Sequence, residues 1–353
     1  MILKRFFEFF PTPRFLKFSY VGLDIGNERL RYAELLSDGS SFHLGRYGME
    51  TFEKNDNLLS NESLKSVLKR LQKEKNIHHA KVSLPEEETY LFTTEVTGQT
   101  DKEIRDDIEF HLEENVPIAG AEALFHYYLV PSEDKTKKKA VVSVVSRETI
   151  NRYSTLLADC GITPVSFMVE SSALSRSVVK RNYNNTHLLV YLSRSRTILA
   201  VVDRGFVQFS STTNFGGGAF TSAIQKEFSI SAEEARKLKY SKGIMQSGEQ
   251  GEDISSSVAN AISVLRDEIQ RVSAYWLKQP QGSMQPIEKI VLCGTDSSMP
   301  GLADYLAVSL KTPVEMANVW SNIPHYNNEV PPIPFEDSLS YGTSIGLVLS
   351  TSV

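Results

Sequence analysis

Cysteine is almost missing. Two residues in 353, Cys160 and Cys293, make no disulfide framework, and such sparing use fits a reducing cytoplasm. Long apolar runs are missing as well: no stretch approaches the ~18 uninterrupted apolar residues of a spanning helix. His78 and His79 have no second ligand pair at metal-site spacing, so a structural zinc site is excluded. A Walker P-loop, a GxSxG elbow and an HExxH pair are all absent, which removes the commonest phosphate, acyl-transfer and metalloprotease signatures. Positive charge is in slight deficit. With 38 basic against 43 acidic side chains the net is −5, against the concentrated basic face of a nucleic-acid binder. Lys135 to Lys139 is a dense basic run, but it follows Ser132, Glu133 and Asp134 and reads as a solvated hairpin tip.

What is present begins with a bias at one end. Six of the 18 phenylalanines, including Phe6, Phe7, Phe9 and Phe10, fall in the first 18 residues beside Lys4, Arg5, Arg14 and Lys17. On a helical wheel Lys4, Arg5 and Glu8 share one face of residues 2–10, and Ile2, Leu3 and the four phenylalanines fill the other. Pro11 and Pro13 stop the helix, which at nine residues rises only ~13 Å, enough to lie on a surface and too short to cross one. Glu8 and the prolines also break the apolar stretch of a secretory signal, and no small-residue cleavage site follows.

The length suggests two domains. Tyr20 to Gly26 is an apolar strand ending in glycine, Asn27 and Glu28 form a turn, Arg29 to Leu36 is a second strand, and Asp38-Gly39 leads into a third. A helix with Leu64, Val67, Leu68 and Leu71 on one face follows. The meander then recurs: Leu188 to Leu192, a turn at Ser193–Ser195, Thr197 to Val202, a turn at Asp203–Gly205, and Phe206 to Ser211. Such recurrence predicts an internally duplicated α/β architecture. Between the halves, Asp101 to Val116 reads as an amphipathic helix, strands are expected near 124–130 and 140–145, and Asn151 to Asp159 as a further helix. Ile254, Val258, Ile262, Leu265, Ile269, Val272 and Trp276 make the core stripe of a long helix. Ile290 to Leu292 reads as a buried strand, Pro300 as a helix start, and Pro313 precedes another short strand.

Two places have the residue types for phosphate chemistry. A strand ending in Asp24-x-Gly26 at a tight turn offers backbone N–H groups to phosphate oxygens and a carboxylate to a hydrated Mg²⁺, although taken alone the same residues read better as an ordinary hairpin. Gly216-Gly217-Gly218 opening a helix permits close approach of a phosphate, or is simply a glycine-rich connector.

In order and spacing, the stretches VGLDIGNERLRYAEL (21–35), IEFHLEENVPI (108–118), FGGGAFTSAI (215–224), AEEARKLK (232–239), RDEIQRVSAYW (266–276), MPGLADYL (299–306) and YGTSIGLVL (341–349) resemble the actin-like ATPase superfamily. Within it they resemble the PilM family of type IV pilus assembly, over residues 20–350. The resemblance implies an α/β fold: a duplicated, two-lobed, ribonuclease H-like actin fold with a PilM-type α+β insert. Its expected bounds are 1–19 for the head, 20–185 for the first lobe with the insert at about 86–150, and 186–353 for the second lobe with a smaller subdomain at about 218–284. It also implies an ATP and Mg²⁺ site. Asp24 (metal, through water) and Gly26 match the first phosphate turn, with Asn27 in it, and Arg31 stands at its lysine position. Glu170 falls where an acid orients the attacking water. Gly216 and Gly217 match the cleft glycines, Lys239 the adenosine-side lysine, and Gly294 the first glycine of the adenosine strand.

Departures from the pattern are concentrated in the same pocket. Asn27 and Glu28 replace small hydroxyl residues, Tyr191-Leu192-Ser193 replaces a second Asp-x-Gly, Arg236 replaces an acidic ribose contact, and Thr295 and Asp296 replace glycines. Phosphoryl transfer depends on positioning and charge compensation, so the expectation is negligible ATPase activity and weak or absent ATP binding. The resemblance further implies a cytoplasmic scaffold at the inner face of the cell membrane that binds the tail of a PilN-like membrane protein. That tail is expected between the first lobe and the insert, beside the helix carrying Ile108, Leu112 and Val116, though each of those three also reads as plain core. A basic, aromatic head suits either anionic lipid or a neighbouring pilus protein. Two alternatives carry less of the pattern: an FtsA-like ATPase that polymerises or switches, and a sugar-kinase-like transferase.

Overall fold

In the computed structural model, residues 19–37, 42–55, 57–130, 138–180, 185–244, 254–278, 285–323 and 330–349 are described. The Phe-rich head, with Phe6, Phe7, Phe9 and Phe10, lies outside them. The first sheet begins with β1 (Val21–Ile25), buried at all five positions. It pairs antiparallel with β2 (Arg29–Ser37), which pairs antiparallel with β3 (Phe42–Thr51). On its other side β1 runs parallel to β4 (His79–Leu84), and β4 parallel to β8 (Thr163–Val169). The strand order is therefore β3-β2-β1-β4-β8.

The second sheet repeats that plan. β9 (Thr186–Leu192), β10 (Thr197–Asp203) and β11 (Phe206–Thr213) form the meander. β12 (Ile287–Cys293) lies parallel to β9, and β13 (Val314–Met316) parallel to β12, giving β11-β10-β9-β12-β13. Matching order and matching strand directions in the two halves bear out the duplication expected from the recurring meander.

Helices cover the sheets through the expected apolar stripes. α1 (Glu62–Glu74) is capped by the Asn61 side chain, which accepts from the Leu64 N–H at 2.9 Å, and buries Leu64, Val67, Leu68 and Leu71 against Val21, Leu23 and Ile25. Between β4 and β8 lie β5 (Thr89–Val96), α2 (Asp101–Asn115), β6 (Ala123–Val130) and β7 (Lys138–Ser146), whose strands form a three-stranded sheet, β5-β7-β6, with its own apolar core. α2 starts at a reciprocal cap between Thr100 and Glu103. α3 (Arg147–Asp159) begins four residues before the expected Asn151 because Ser146 caps it, and its Tyr153, Leu156 and Leu157 pack into the first lobe's core.

α4 (Glu170–Val178) then leads to the second lobe. There α5 (Gly218–Phe228), α6 (Ala232–Lys242), α7 (Ser255–Leu277) and α8 (Leu302–Leu310) cover one face of the second sheet through Phe220, Ile224, Ala235, the full α7 stripe and Leu306. α8 begins at Leu302 rather than Pro300, after Gly301 takes a φ of 81°. The chain closes with α9 (Phe335–Ser338) and α10 (Gly342–Val348), every residue of α10 being buried.

Between the lobes, α10 crosses α4 at close range. A Cβ on Gly346 would lie 1.7 Å from the Ala173 carbonyl oxygen, and one on Gly342 2.6 Å from Leu174. The absence of a side chain at both positions lets two helix backbones approach. Among the described residues, no helix is long and apolar enough to cross a membrane.

Candidate functional site

The two meanders point their first turns at each other across the interlobe cleft, and Asp24, Gly26, Asn27, Arg31 and Glu170 gather there. Asp24, near the end of β1, is 3% exposed. It accepts from Ser83 Oγ at 2.8 Å, and its Oδ2 stands 3.8 Å from Nη1 of Arg31, its register partner on β2. Arg31 is buried, and its Nε has no hydrogen-bond partner among the described residues. The first turn is closed by the Gly26 N–H donating to the Arg29 carbonyl at 2.9 Å, with Asn27 and Glu28 at its tip.

Across the cleft, Ser193 closes the second turn. Its N–H and Oγ both donate to the Arg196 carbonyl, at 3.0 and 2.8 Å. The Arg196 side chain enters the cleft and ends on two carboxylates. Nη1 lies 2.6 and 2.5 Å from the two Glu87 oxygens, and Nη2 lies 2.5 Å from Oε2 of Glu170, the first residue of α4. Burial pushes the Glu170 carboxyl above the ordinary range, with Arg196 pulling the other way. Burial works against the Arg196 charge, but Glu170 and Glu87 overcome it and hold the guanidinium firmly protonated.

The glycine loop is engaged inside the protein. Gly217 and Gly218 donate their N–H groups to the Ser193 and Arg194 carbonyls, each at 2.8 Å. A Cβ on Gly216 would lie 2.5 Å from the Ser193 carbonyl oxygen, and one on Gly217 2.1 Å from Asp296 Cβ. Lys239 is 1% exposed; its Nζ donates to the Gly217 carbonyl at 3.2 Å, to Thr221 Oγ1 at 3.0 Å and to Asp296. Tyr240 also donates to Asp296, at 2.9 Å. Gly294, at a φ of 92°, turns β12 into the short helical turn that carries Asp296.

Two adjoining cavities lie in the cleft, with Arg29, Arg194 and Asp296 among the residues that line both. The inner one, of about 50 Å³, is lined by Asp24, Gly26, Arg31, Glu170 and Arg196 among others. Ligand pockets run to roughly 300–1,000 Å³, so this part taken by itself is too small for a nucleotide. The outer one, of about 580 Å³, is lined by Arg29, Arg194, Thr221, Arg236, Lys239 and Tyr240 among others, and is large enough for a small organic ligand. Burial and the like charges of Arg31 and Arg194 lower the pKa of Arg29. Among the described residues, no group of three or more His, Cys, Asp or Glu is arranged to hold a metal ion.

The family described as type IV pilus assembly protein PilM matches residues 22–352. The chain belongs to the PilM family. Among solved structures, a PilM-PilN type IV pilus biogenesis complex superposes with a TM-score of 0.74 at 18% identity, covering 95% of this chain and 98% of that one. The ethanolamine utilization protein EutJ from Carboxydothermus hydrogenoformans gives 0.56 at 13% identity, over 96% and 90% of the two chains. MreB5 of Spiroplasma citri bound to ADP gives 0.54 at 14%, over 86% and 93%. The two-lobed actin-like fold with a PilM insert is thereby established.

Within this PilM fold, Asp24, Gly26, Asn27, Arg31 and Glu170 share the inner cavity. Lys239 lies on the outer one, and Gly216, Gly217 and Gly294 line neither. Ile108, Leu112 and Val116 are 0, 1 and 5% exposed and close the core of the insert against Ala140, Val142 and Val144. None of the three presents a side chain to a groove: a stripe at helical spacing facing a sheet is consumed by that sheet. Arg196 lines the inner cavity and pairs with Glu87, and neither residue emerges from the sequence. The signal available was Glu86-Glu87-Glu88, three acids in a row after Pro85.

Proposed function

We propose that this PilM-family chain is a scaffold of the type IV pilus inner-membrane platform that engages the tail of a PilN-like protein without turning over ATP. Support for the partner comes from the family match and from the superposition, over nearly both full chains, on a PilM-PilN complex. One observation carries the second half of the reading: Arg196 spans Glu87 and Glu170 where charge compensation for a triphosphate and its metal is needed. The closed glycine loop and the 50 Å³ inner cavity point the same way. The family resemblance gives the acid at 170 the task of orienting an attacking water. On this reading Glu170 is instead held in an ion pair, and the cleft residues do not fit Mg²⁺·ATP.

The tail docks beside the insert at the level of elements, on the surfaces that flank its core rather than on Ile108, Leu112 or Val116. Residues 1–18 add a second contact at the cytoplasmic face of the membrane. Liposome co-sedimentation of the chain with and without residues 1–18 separates the two partners for that head: a loss assigns it to lipid, and unchanged binding assigns it to protein.

Labelled tail peptide from a PilN-like partner, titrated by fluorescence anisotropy, tests the function alongside sedimentation and phosphate release with ATP and Mg²⁺. Saturable peptide binding with neither pelleting nor turnover is expected. A nucleotide-dependent pellet, or turnover abolished by Asp24→Ala, would support an FtsA-like filament instead.

A further inference from the structure

We propose that Arg196 is an internal clasp that joins three separate parts of the chain and holds the interlobe cleft closed without nucleotide. It deepens the regulation of the cleft and rests on the reading that the cleft is idle toward ATP.

The geometry begins with the turn Glu86–Glu88, which links β4 to the insert. Its three consecutive acids diverge. Glu86 turns inward, 7% exposed, and accepts from the Ser171 N–H at 3.2 Å and Ser171 Oγ at 2.5 Å, with a further bond from Ser210 on β11. Glu87 pairs with Arg196 on the second lobe, and Glu88 with Arg152 on α3. The base of the insert is thus tied to α4, to both lobes and to α3 within three residues.

Arg196 is the centre of this arrangement. Its side chain is 8% exposed and it meets both Glu87, 43% exposed, and Glu170, 5% exposed. A guanidinium is well suited to this position, because it keeps its charge and its planar fork reaches two carboxylates at once. Because it is covalently part of the β9–β10 turn, its effective concentration at the two acids does not depend on any ligand. Breaking a pair of this kind strands a buried carboxylate, Glu170, and that penalty opposes opening of the cleft. The consequence for the scaffold is that the insert is presented in one orientation whether or not nucleotide is in the cell.

Amide hydrogen exchange on the full chain tests the clasp, comparing the unsubstituted protein with Arg196→Met and with Glu87→Ala, each alone and with ATP and Mg²⁺. Exchange over residues 84–92 and 190–198 is expected to rise about tenfold in either variant, the size of effect that a partly buried charge pair exerts on local opening. Wild-type-like protection in both variants would overturn the clasp. Should Arg196→Met fail to fold, Glu87→Ala decides alone, since its half-exposed side chain leaves no cavity behind. If the variants lose protection and the unsubstituted protein nevertheless gains protection with ATP and Mg²⁺, the clasp stands and the idle-cleft reading fails.

Discussion

Gly22 of β1 lies directly beneath the Ser344 carbonyl of α10: a Cβ at position 22 would sit 2.0 Å from that oxygen and 2.9 Å from Leu347 Cβ. The first strand of one lobe and the last helix of the chain therefore meet backbone to backbone. A methyl group there has no room unless the helix moves. Gly22→Ala is expected to cost about 1–3 kcal/mol by overpacking, read as a fall in the urea midpoint with the slope unchanged. An unaltered midpoint would mean that α10 is not seated on β1.

Lys239 gives a second expectation. Its three bonds go to protein acceptors, and its ammonium and Asp296 are both buried. Lys239→Met strands that carboxylate and is expected to cost about 3–5 kcal/mol in chemical denaturation. Adding Asp296→Asn should recover part of the loss, because the two residues form one unit. A strictly additive pair would contradict the pairing.

Glu34 and Arg46 make the protein acid-sensitive. Arg46 Nε and Nη2 bond the two Glu34 oxygens, each at 2.7 Å, and Nη1 donates to the carbonyls of Lys75, the C-cap of α1, and of Asn76 beyond it. Burial pushes the Glu34 carboxyl up, but the bonds from Arg46 and Ser19 outweigh it and hold it below the ordinary value. A depressed folded-state pKa stabilises above the unfolded value near ~4.3, and the contribution is lost as pH falls through the folded value. Glu34→Gln should therefore destabilise at pH 7 and converge with the unsubstituted protein as pH falls through the depressed folded-state value. Parallel stability curves across that range would refute the linkage.

Neither cysteine should react in the native state. Cys160 and Cys293 are buried, and burial raises both thiols, Cys293 to about 12. Thiol titration at pH 8 is expected to find none accessible before unfolding and two after it. Rapid native labelling would place one of them on a surface.

The meanders were legible because alternating strands and glycine turns are local, and their recurrence exposed the duplication. The α7 stripe was legible for the same reason. β5 was not anticipated, since Thr89–Val96 has mixed burial and takes its strand identity from pairing with β7. α10 was matched only as a motif: it is buried on every side and small-residued, so it has no polar face to reveal a helical period. The stripe Ile108, Leu112, Val116 showed which face is apolar and not what covers it. The clasp was hidden for a different reason, because Glu87 and Arg196 stand 109 residues apart and neither belongs to a motif.

On the proposed function, partner binding owes nothing to nucleotide, and calorimetric titration of the full chain with the tail peptide measures this. Run once with EDTA and once with ATP and Mg²⁺, the two titrations are predicted to give the same affinity and the same heat. By reciprocal linkage, a ligand that does not distinguish the states shifts nothing. Peptide affinity that appears or tightens tenfold only with ATP and Mg²⁺ would contradict the account and make the cleft a nucleotide switch.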